Sequence, residues 1–288
     1  MSDWETLGAV DPRHLTDARL QMHWAAQAAS SVGKRLGIPQ PDFSQQSFQW
    51  LESARCLAQS LLEAPIAGRK TFRSALRFQP PALAFLDEHG AILNEFLLHG
   101  RTLDEAYAWV RETAEDLLGT PLPGDLERGE GLPPHPVAGG APFDTSAAAS
   151  FAELGRYFAG THRLLEGIVA QRPEASPVRC WPHHFDIATL LKLDEGGAPE
   201  TARSIGLGLS PGDGSYAEPY FYVTPWPYPA EPSLPTLPFN GIWHREGWLG
   251  AVLLGEAFVG TSSNGSQRRR IQEFFDAALA ACLTMLKR

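Results

Sequence analysis

The stretch GTPLPGDLERGEGLPPHPVAGGAPFDTS, Gly119 to Ser146, divides a chain of 288 residues close to its middle. It contains six prolines and six glycines and shows no hydrophobic period. Because such a composition cannot sustain a regular helix or strand, the stretch is predicted to be a linker. We therefore predict three segments: an N-terminal half over residues 1–118, the linker over 119–146, and a C-terminal half over 147–288.

The N-terminal half shows a helix, then strands, then a second helix. Apolar residues at three- and four-residue steps predict the first helix over Leu15–Leu36. Thr102 and Glu105 have the spacing of a capping box and begin the second helix, which Gly119 ends. Between the two helices, strands are predicted over Thr71–Phe78, Ala82–Leu86 and Ala91–Leu98.

The C-terminal half repeats this order of elements. Helices are predicted over Phe151–Gln171 and Gln267–Leu286, the latter with Ser266 as its N-cap. The apolar face of the last helix holds Phe274, Phe275, Ala278, Cys282 and Leu283, and strands are predicted over Arg203–Leu209, Pro219–Thr224 and Leu249–Val259. Short strands joined by turns favour antiparallel sheets, so the predicted fold class is α+β with two pseudo-repeated helix–antiparallel strands–helix halves. Residue identity between the halves is slight, so internal duplication and chance coincidence both stay open.

Composition restricts the classes of partner. The formal net charge is −9, with 24 basic and 33 acidic residues, which argues against a sequence-independent nucleic-acid binder. Three cysteines without a framework spacing indicate reduced thiols. The N-terminus MSDWETLGAV has no signal-peptide pattern, and no apolar run approaches the roughly 20 residues of a membrane span. We expect a cytoplasmic protein that binds neither nucleic acid nor membrane, while its cofactors and oligomeric state stay unknown.

Two adjacent histidines mark the segment CWPHHFDIATLLKL, Cys180 to Leu193. If the segment is one strand, His183 and His184 point to opposite faces, and His184 shares a face with Asp186. With His244 of GIWHREGW, these side chains would form a set of two histidines and one carboxylate, as in mononuclear iron sites. The candidate metal ligands are thus His184, Asp186 and His244.

Two readings without a metal compete with this site. One histidine could cap the strand entry, where Pro182 already interrupts the ladder of backbone hydrogen bonds. Alternatively, the histidines could act in metal-free acid–base chemistry.

Alternating aromatic residues characterise the segment Gly206 to Pro229. If it forms a strand after the turn Ser210–Gly214, one face carries Tyr220, Tyr222, Thr224 and Trp226, and the other carries Phe221 and Val223. Aromatic residues with polar tips line ligand pockets, but they also cover sheets beneath helices. The pattern predicts either a pocket or plain packing.

Four stretches together resemble an uncharacterised bacterial protein family of unknown function. They are W-P-H-H-F-D at Trp181–Asp186, P-G-D at Pro211–Asp213, P-Y-F-Y at Pro219–Tyr222, and the helical segment LQMHWAAQ at Leu20–Gln27. The resemblance implies no activity and no catalytic residue. It implies only that these stretches belong together.

The leading functional prediction is a small-molecule-binding protein, with enzymatic activity left open. Its pocket would lie in the C-terminal half, with His183, His184, Asp186, Tyr220, Tyr222, Trp226 and His244 as ligand-binding residues. One alternative is a metal-dependent hydrolase or oxygenase that uses the three candidate metal ligands. A protein-interaction module that uses exposed aromatic side chains is the other alternative.

Overall fold

The computed structural model describes residues 4–62, 71–194, 201–230, 234–260 and 264–287. The chain forms two compact units. The C-terminal unit consists of Met1–His14, Arg156–Val178 and Asp186–Arg288, and the N-terminal unit consists of Leu15–Gly155 and Arg179–Phe185. Both contain antiparallel sheet and helices, which confirms the predicted α+β class.

The N-terminal unit is built on a five-stranded antiparallel sheet with the strand order β1-β2-β3-β4-β5. Its elements are α1 (Thr16–Leu36), β1 (Gln49–Leu51), β2 (Cys56–Ala58), β3 (Arg73–Phe78), β4 (Pro81–Leu86), β5 (Ile92–Leu97) and α2 (Leu103–Leu118). Alanines on the buried face of α1 allow this helix to pack closely on β3 and β4. The Ser74 hydroxyl on β3 lies 2.7 Å from the carbonyl of Ala29.

Local signals set the ends of α2. Thr102 caps the helix by accepting from the backbone N–H of Glu105, whose carboxylate accepts from the backbone N–H of Thr102. Gly119 ends the helix with φ of 61°, a left-handed conformation that glycine adopts without strain. The predicted capping box and helix end are thus confirmed.

The predicted linker lies entirely within the N-terminal unit. Apart from a short 3₁₀ turn at Pro136–Gly139, it forms no helix and no strand. Two of its backbone carbonyls accept hydrogen bonds from side chains of the helices. The Trp24 indole of α1 donates to the carbonyl of Pro133 at 3.1 Å, and the Arg111 guanidinium of α2 donates to the carbonyl of Gly124 at 2.8 Å. The segment therefore packs on α1 and α2 within the N-terminal unit, and the division at residues 119 and 146 stays a prediction.

The C-terminal unit contains most of a six-stranded sheet with the order β10-β11-β9-β8-β7-β6. The strands of this sheet are β6 (Arg179–Trp181), β7 (Asp186–Lys192), β8 (Ser204–Ser210), β9 (Tyr220–Trp226), β10 (Ile242–His244) and β11 (Gly250–Leu254). The helices are α4 (Glu256–Val259), α5 (Asn264–Leu286) and the part of α3 (Ala148–Val169) that follows Gly155. The pairs β7–β8, β8–β9, β9–β11 and β10–β11 are antiparallel. Strand β6 and the turn after it belong to the N-terminal unit, where Phe48 and Cys180 exchange both backbone hydrogen bonds.

Helix α5 covers one face of the C-terminal sheet. Phe274, Phe275, Ala278 and Cys282 are fully buried, as predicted, whereas Leu283 is only half-buried. The Phe275 ring lies 5.6 Å from the ring of Phe221 on β9. Since α5 begins at Asn264, Ser266 lies inside the helix and is not its N-cap.

The structure differs from one predicted strand and from one strand that was assumed as a condition. The segment Leu249–Val259 is a strand only to Leu254, after which α4 places Phe258 in the core against Phe221. The segment Cys180–Leu193 is two strands separated by a turn over Pro182–Phe185. In this turn, both His184 and Phe185 donate their backbone N–H to the carbonyl of Trp181, and Phe185 has φ of 57°. His184 is therefore not on a strand, and the argument that placed it on one face with Asp186 is wrong.

The order helix, strands, helix occurs on both sides of residues 119–146, but the strand orders differ. In the first sheet β5 follows β4, whereas in the second β11 lies between β9 and β10. The pseudo-repeat of the two halves is therefore not confirmed. Among the described residues, no helix has the length and apolar character needed to cross a membrane.

Candidate functional site

Strand β9 presents its aromatic residues in the predicted alternation. Phe221 and Val223 are fully buried on the side of α5. The opposite side of the sheet carries Tyr220, Tyr222 and Thr224. These three residues pair in register with Ser210, Gly208 and Gly206 of β8. We call this side the polar face.

Two tyrosine hydroxyls of the polar face donate to carboxylates. Tyr222 donates to Asp186 at the start of β7 with an O···O distance of 2.5 Å. Tyr220 donates to Asp213 in the turn between β8 and β9. The same carboxylate of Asp213 accepts the backbone N–H groups of Ser215 and Tyr216 at 2.8 and 3.1 Å. Asp213 thus fixes both the turn and the direction of the Tyr220 hydroxyl.

His244 on β10 extends this network. Its Nε2 lies 2.7 Å from the backbone carbonyl of Glu246, which can only accept, so Nε2 carries a hydrogen. In the neutral ring Nδ1 then accepts, and the Tyr216 hydroxyl donates to it at 2.9 Å. The imidazole also stacks on the indole of Trp248, with ring centroids 4.3 Å apart.

Ring contacts join these pairs into one group, which we call the tyrosine cluster. The Tyr220 ring lies 5.1 Å from that of Tyr216, 6.3 Å from that of Tyr222 and 6.5 Å from that of Trp248. The tyrosine cluster consists of Asp186, Asp213, Tyr216, Tyr220, Tyr222, His244 and Trp248. Tyr220 is buried, whereas Tyr216, Tyr222, His244, Trp248 and Asp186 are half-buried.

Two glycines of β8, Gly206 and Gly208, lie beside the tyrosine cluster. A Cβ atom at Gly208 would lie 2.3 Å from the carbonyl oxygen of Ile187, so no side chain fits at this position. At Gly206, a Cβ would meet only the Thr224 methyl group, at 3.3 Å. Because Gly206 carries no side chain, the polar face has a recess at this position beside Thr224. The space over Gly208 is instead filled by Ile187 and Ala188 of strand β7.

Burial keeps the phenols of Tyr216 and Tyr220 protonated. It raises the pKa of Tyr220, and the hydrogen bond to the negatively charged Asp213 raises it further. Burial also raises the pKa of Tyr216, together with the negative charges of Asp213 and Glu246. At neutral pH these hydroxyls therefore act as hydrogen-bond donors and not as bases or nucleophiles.

His183 and His184 lie in the N-terminal unit, where the turn that contains them is held by α1. The carbonyl of Pro182 lies 2.9 Å from Nε2 of His23 and accepts from Nε2 of Gln27 at 2.6 Å. The His23 ring stacks on Phe185, with centroids 5.3 Å apart. Two stretches of the resemblance, LQMHWAAQ and W-P-H-H-F-D, are thus in direct contact.

The structure brings together some of the predicted site residues. Asp186, Tyr220, Tyr222 and His244 belong to the tyrosine cluster, whereas His183 and His184 belong to the other unit. Trp226 lies at the far end of β9, roughly 13 Å along the strand from Tyr222, and its ring packs against Tyr228.

Sequence reasoning missed Asp213, Tyr216 and Trp248. The turn SPGDG carries a signal for Asp213, because aspartate in a tight turn accepts backbone N–H groups from the next residues. Trp248 lies in the connection from β10 to β11, after His244 and the segment REG. In this segment Gly247 has φ of 81°. Only the strand pairing of β10 with β11, however, brings this segment beside β9.

Across the described part of the chain, no group of three or more His, Cys, Asp or Glu side chains is placed to hold a metal ion. Both ring nitrogens of His244 are already hydrogen-bonded. The predicted ligand set of His184, Asp186 and His244 therefore gains no support from the geometry.

Comparison with protein-family models, with curated proteins and with solved structures found no match to the chain. The resemblance to an uncharacterised bacterial family accordingly stays a prediction.

Proposed function

We propose that the protein binds a small organic cation in the recess of the polar face. The observation that carries the proposal is the Tyr222–Asp186 pair beside Gly206 and Gly208, with the rest of the tyrosine cluster around it. The half-buried carboxylate of Asp186 offers negative charge, and the absent side chain of Gly206 leaves room for a ligand.

Aromatic rings and carboxylates together favour a positively charged ligand. A cation over the face of a tyrosine or tryptophan gains about 0.5–2 kcal/mol, depending on how far it is desolvated. Tyr222 and Trp248 are half-buried and present such rings near Asp186 and Asp213. The two cationic side chains nearest in sequence, Lys192 and Arg245, are exposed.

The role proposed for the cluster is recognition and not chemistry. Tyr216 and Tyr220 are held as donors by their raised pKa values, and Tyr222 donates to the fixed acceptor Asp186. A site whose hydrogen bonds are already formed needs little rearrangement when a ligand binds, which favours affinity.

Choline and its neutral isostere 3,3-dimethyl-1-butanol provide a matched pair of probes, since they differ mainly in charge. We expect titration calorimetry to show choline binding at least about tenfold more tightly, equivalent to about 1.4 kcal/mol. In Asp186→Asn, which keeps an oxygen acceptor for Tyr222, this preference should fall to below about threefold.

The matched control is Asp276→Asn, which removes an exposed carboxylate of α5. This variant should keep the full preference for choline. Equal affinity of the wild-type protein for the two probes, or an unchanged preference in Asp186→Asn, would contradict the proposed function.

A further inference from the structure

A cavity of about 720 Å³ lies in the C-terminal unit, apart from the tyrosine cluster. One wall is formed by the last turns of α5, and the opposite wall by the segment that follows β9. Its volume is within the range of about 300–1,000 Å³ that is typical of ligand pockets. No residue of the tyrosine cluster lines it.

Rigid, apolar residues dominate the walls of the cavity. Helix α5 contributes Ala277, Ala280 and Ala281, and the segment after β9 contributes Pro227 and Pro229. Alanine and proline lose almost no side-chain entropy when they are ordered. The alanine side chains are too short to fill the space, so the cavity is preformed and a ligand need not immobilise the walls.

Arg203 places a charged group at this mostly apolar cavity, whose lining also includes Tyr228 and Thr284. Its Nε and Nη2 donate to Asp194, with the shortest contact at 2.6 Å, and its Nη1 donates to the carbonyl of Leu286 at 3.1 Å. A guanidinium has five N–H groups, and these bonds engage one on each nitrogen. Within the described residues, one N–H on each terminal nitrogen therefore remains for a further acceptor.

We propose that the cavity binds a medium-chain monocarboxylate, with its chain along the alanine and proline walls and its carboxylate at Arg203. The apolar lining fits the chain. The two remaining N–H groups of Arg203, on a side chain that is 45% exposed, fit a carboxylate head group. Asp194 holds the guanidinium in place through both carboxylate oxygens.

The test uses decanoate and 1-decanol as probes for the full-length protein, with affinities measured by titration calorimetry below the critical micelle concentration. We expect decanoate to bind at least about tenfold more tightly than decanol. In Arg203→Gln, the two affinities should become equal within about threefold.

Filling the cavity should abolish the binding of both probes. Ala281→Trp places an indole in the cavity, and the more exposed Ala280→Trp provides a second filling variant should the first fail to fold. Gln272→Trp lies on the same helix outside the cavity and is the matched control. Each filling variant that folds should weaken decanoate binding at least about tenfold, while Gln272→Trp should leave it unchanged.

Three outcomes would overturn the proposal. They are decanol binding as tightly as decanoate, decanoate binding that survives a folded filling variant, and no measurable decanoate binding by the wild-type protein. Failure of choline to bind would leave this proposal intact, because the cavity and the tyrosine cluster share no residue.

Discussion

Replacement of His23 by Phe should reverse the relative stability of the wild-type and variant proteins between pH 7.5 and pH 5. His23 is 4% exposed and stacks on Phe185, and its Nε2 lies 2.9 Å from the carbonyl of Pro182. Phenylalanine keeps the stacked ring but removes this hydrogen bond and the titrating group. Gln27 still donates to the Pro182 carbonyl in the variant.

The magnitude follows from two opposing contributions. At pH 7.5 the variant lacks one hydrogen bond, which should lower its free energy of unfolding by about 1 kcal/mol. Burial lowers the pKa of His23 from 6.5 to about 4, although the hydrogen bond to Pro182 opposes the shift. Because the folded pKa is lower, the unfolded chain binds a proton that the folded chain does not bind between these values. Stability is therefore lost as the pH falls from 6.5 towards 4, by about 2 kcal/mol at pH 5.

The assay is urea unfolding of both proteins at the two pH values, with the difference in free energy of unfolding as the readout. The wild-type protein should be more stable by about 1 kcal/mol at pH 7.5, and the variant by about 1 kcal/mol at pH 5. His89→Phe, at an exposed turn position, is the matched control and should show no such reversal. If the wild-type protein keeps the same advantage over His23→Phe at both pH values, the account of His23 is refuted.

Two further substitution pairs test the packing of the C-terminal unit. Phe275→Ala should lower the free energy of unfolding by about 3–5 kcal/mol because the ring is fully buried against Phe221. The control Phe43→Ala, at a side chain that is 62% exposed, should change the free energy of unfolding by less than about 0.5 kcal/mol. An effect under about 1 kcal/mol for Phe275→Ala would place α5 outside the core. Gly208→Ala should lower the free energy of unfolding by about 1–3 kcal/mol because its Cβ would lie 2.3 Å from the Ile187 carbonyl. Gly206→Ala, whose Cβ meets only Thr224, should change the free energy of unfolding by less than about 1 kcal/mol. Equal effects of the two alanines in thermal unfolding would contradict the described pairing of β7 with β8.

Features that depend on a few neighbouring residues could be predicted from the sequence. The capping box of Thr102 and Glu105 and the end of α2 at Gly119 are of this kind. So is the alternation on β9, because a strand must send Tyr220 and Phe221 to opposite faces. The buried face of α5 follows equally from its helical period.

Features that depend on distant contacts could not be predicted in this way. The turn at Pro182–Phe185 requires a positive φ at Phe185, and its carbonyl at Pro182 is bound by His23 and Gln27, more than 150 positions earlier in the chain. The local pattern of the segment does not indicate this contact, and the grouping of His184 with Asp186 held only if the segment formed one strand. The assignment of residues 179–185 to the N-terminal unit likewise rests on the pairing of Phe48 with Cys180.

The most direct test of the proposed function is a crystal structure of the protein with choline. The account predicts electron density for the cation on the polar face, beside Gly206, with its nitrogen within about 6 Å of the Tyr222 ring and close to the Asp186 carboxylate. Choline bound elsewhere on the chain, or an empty recess at a choline concentration that saturates binding in solution, would contradict the account.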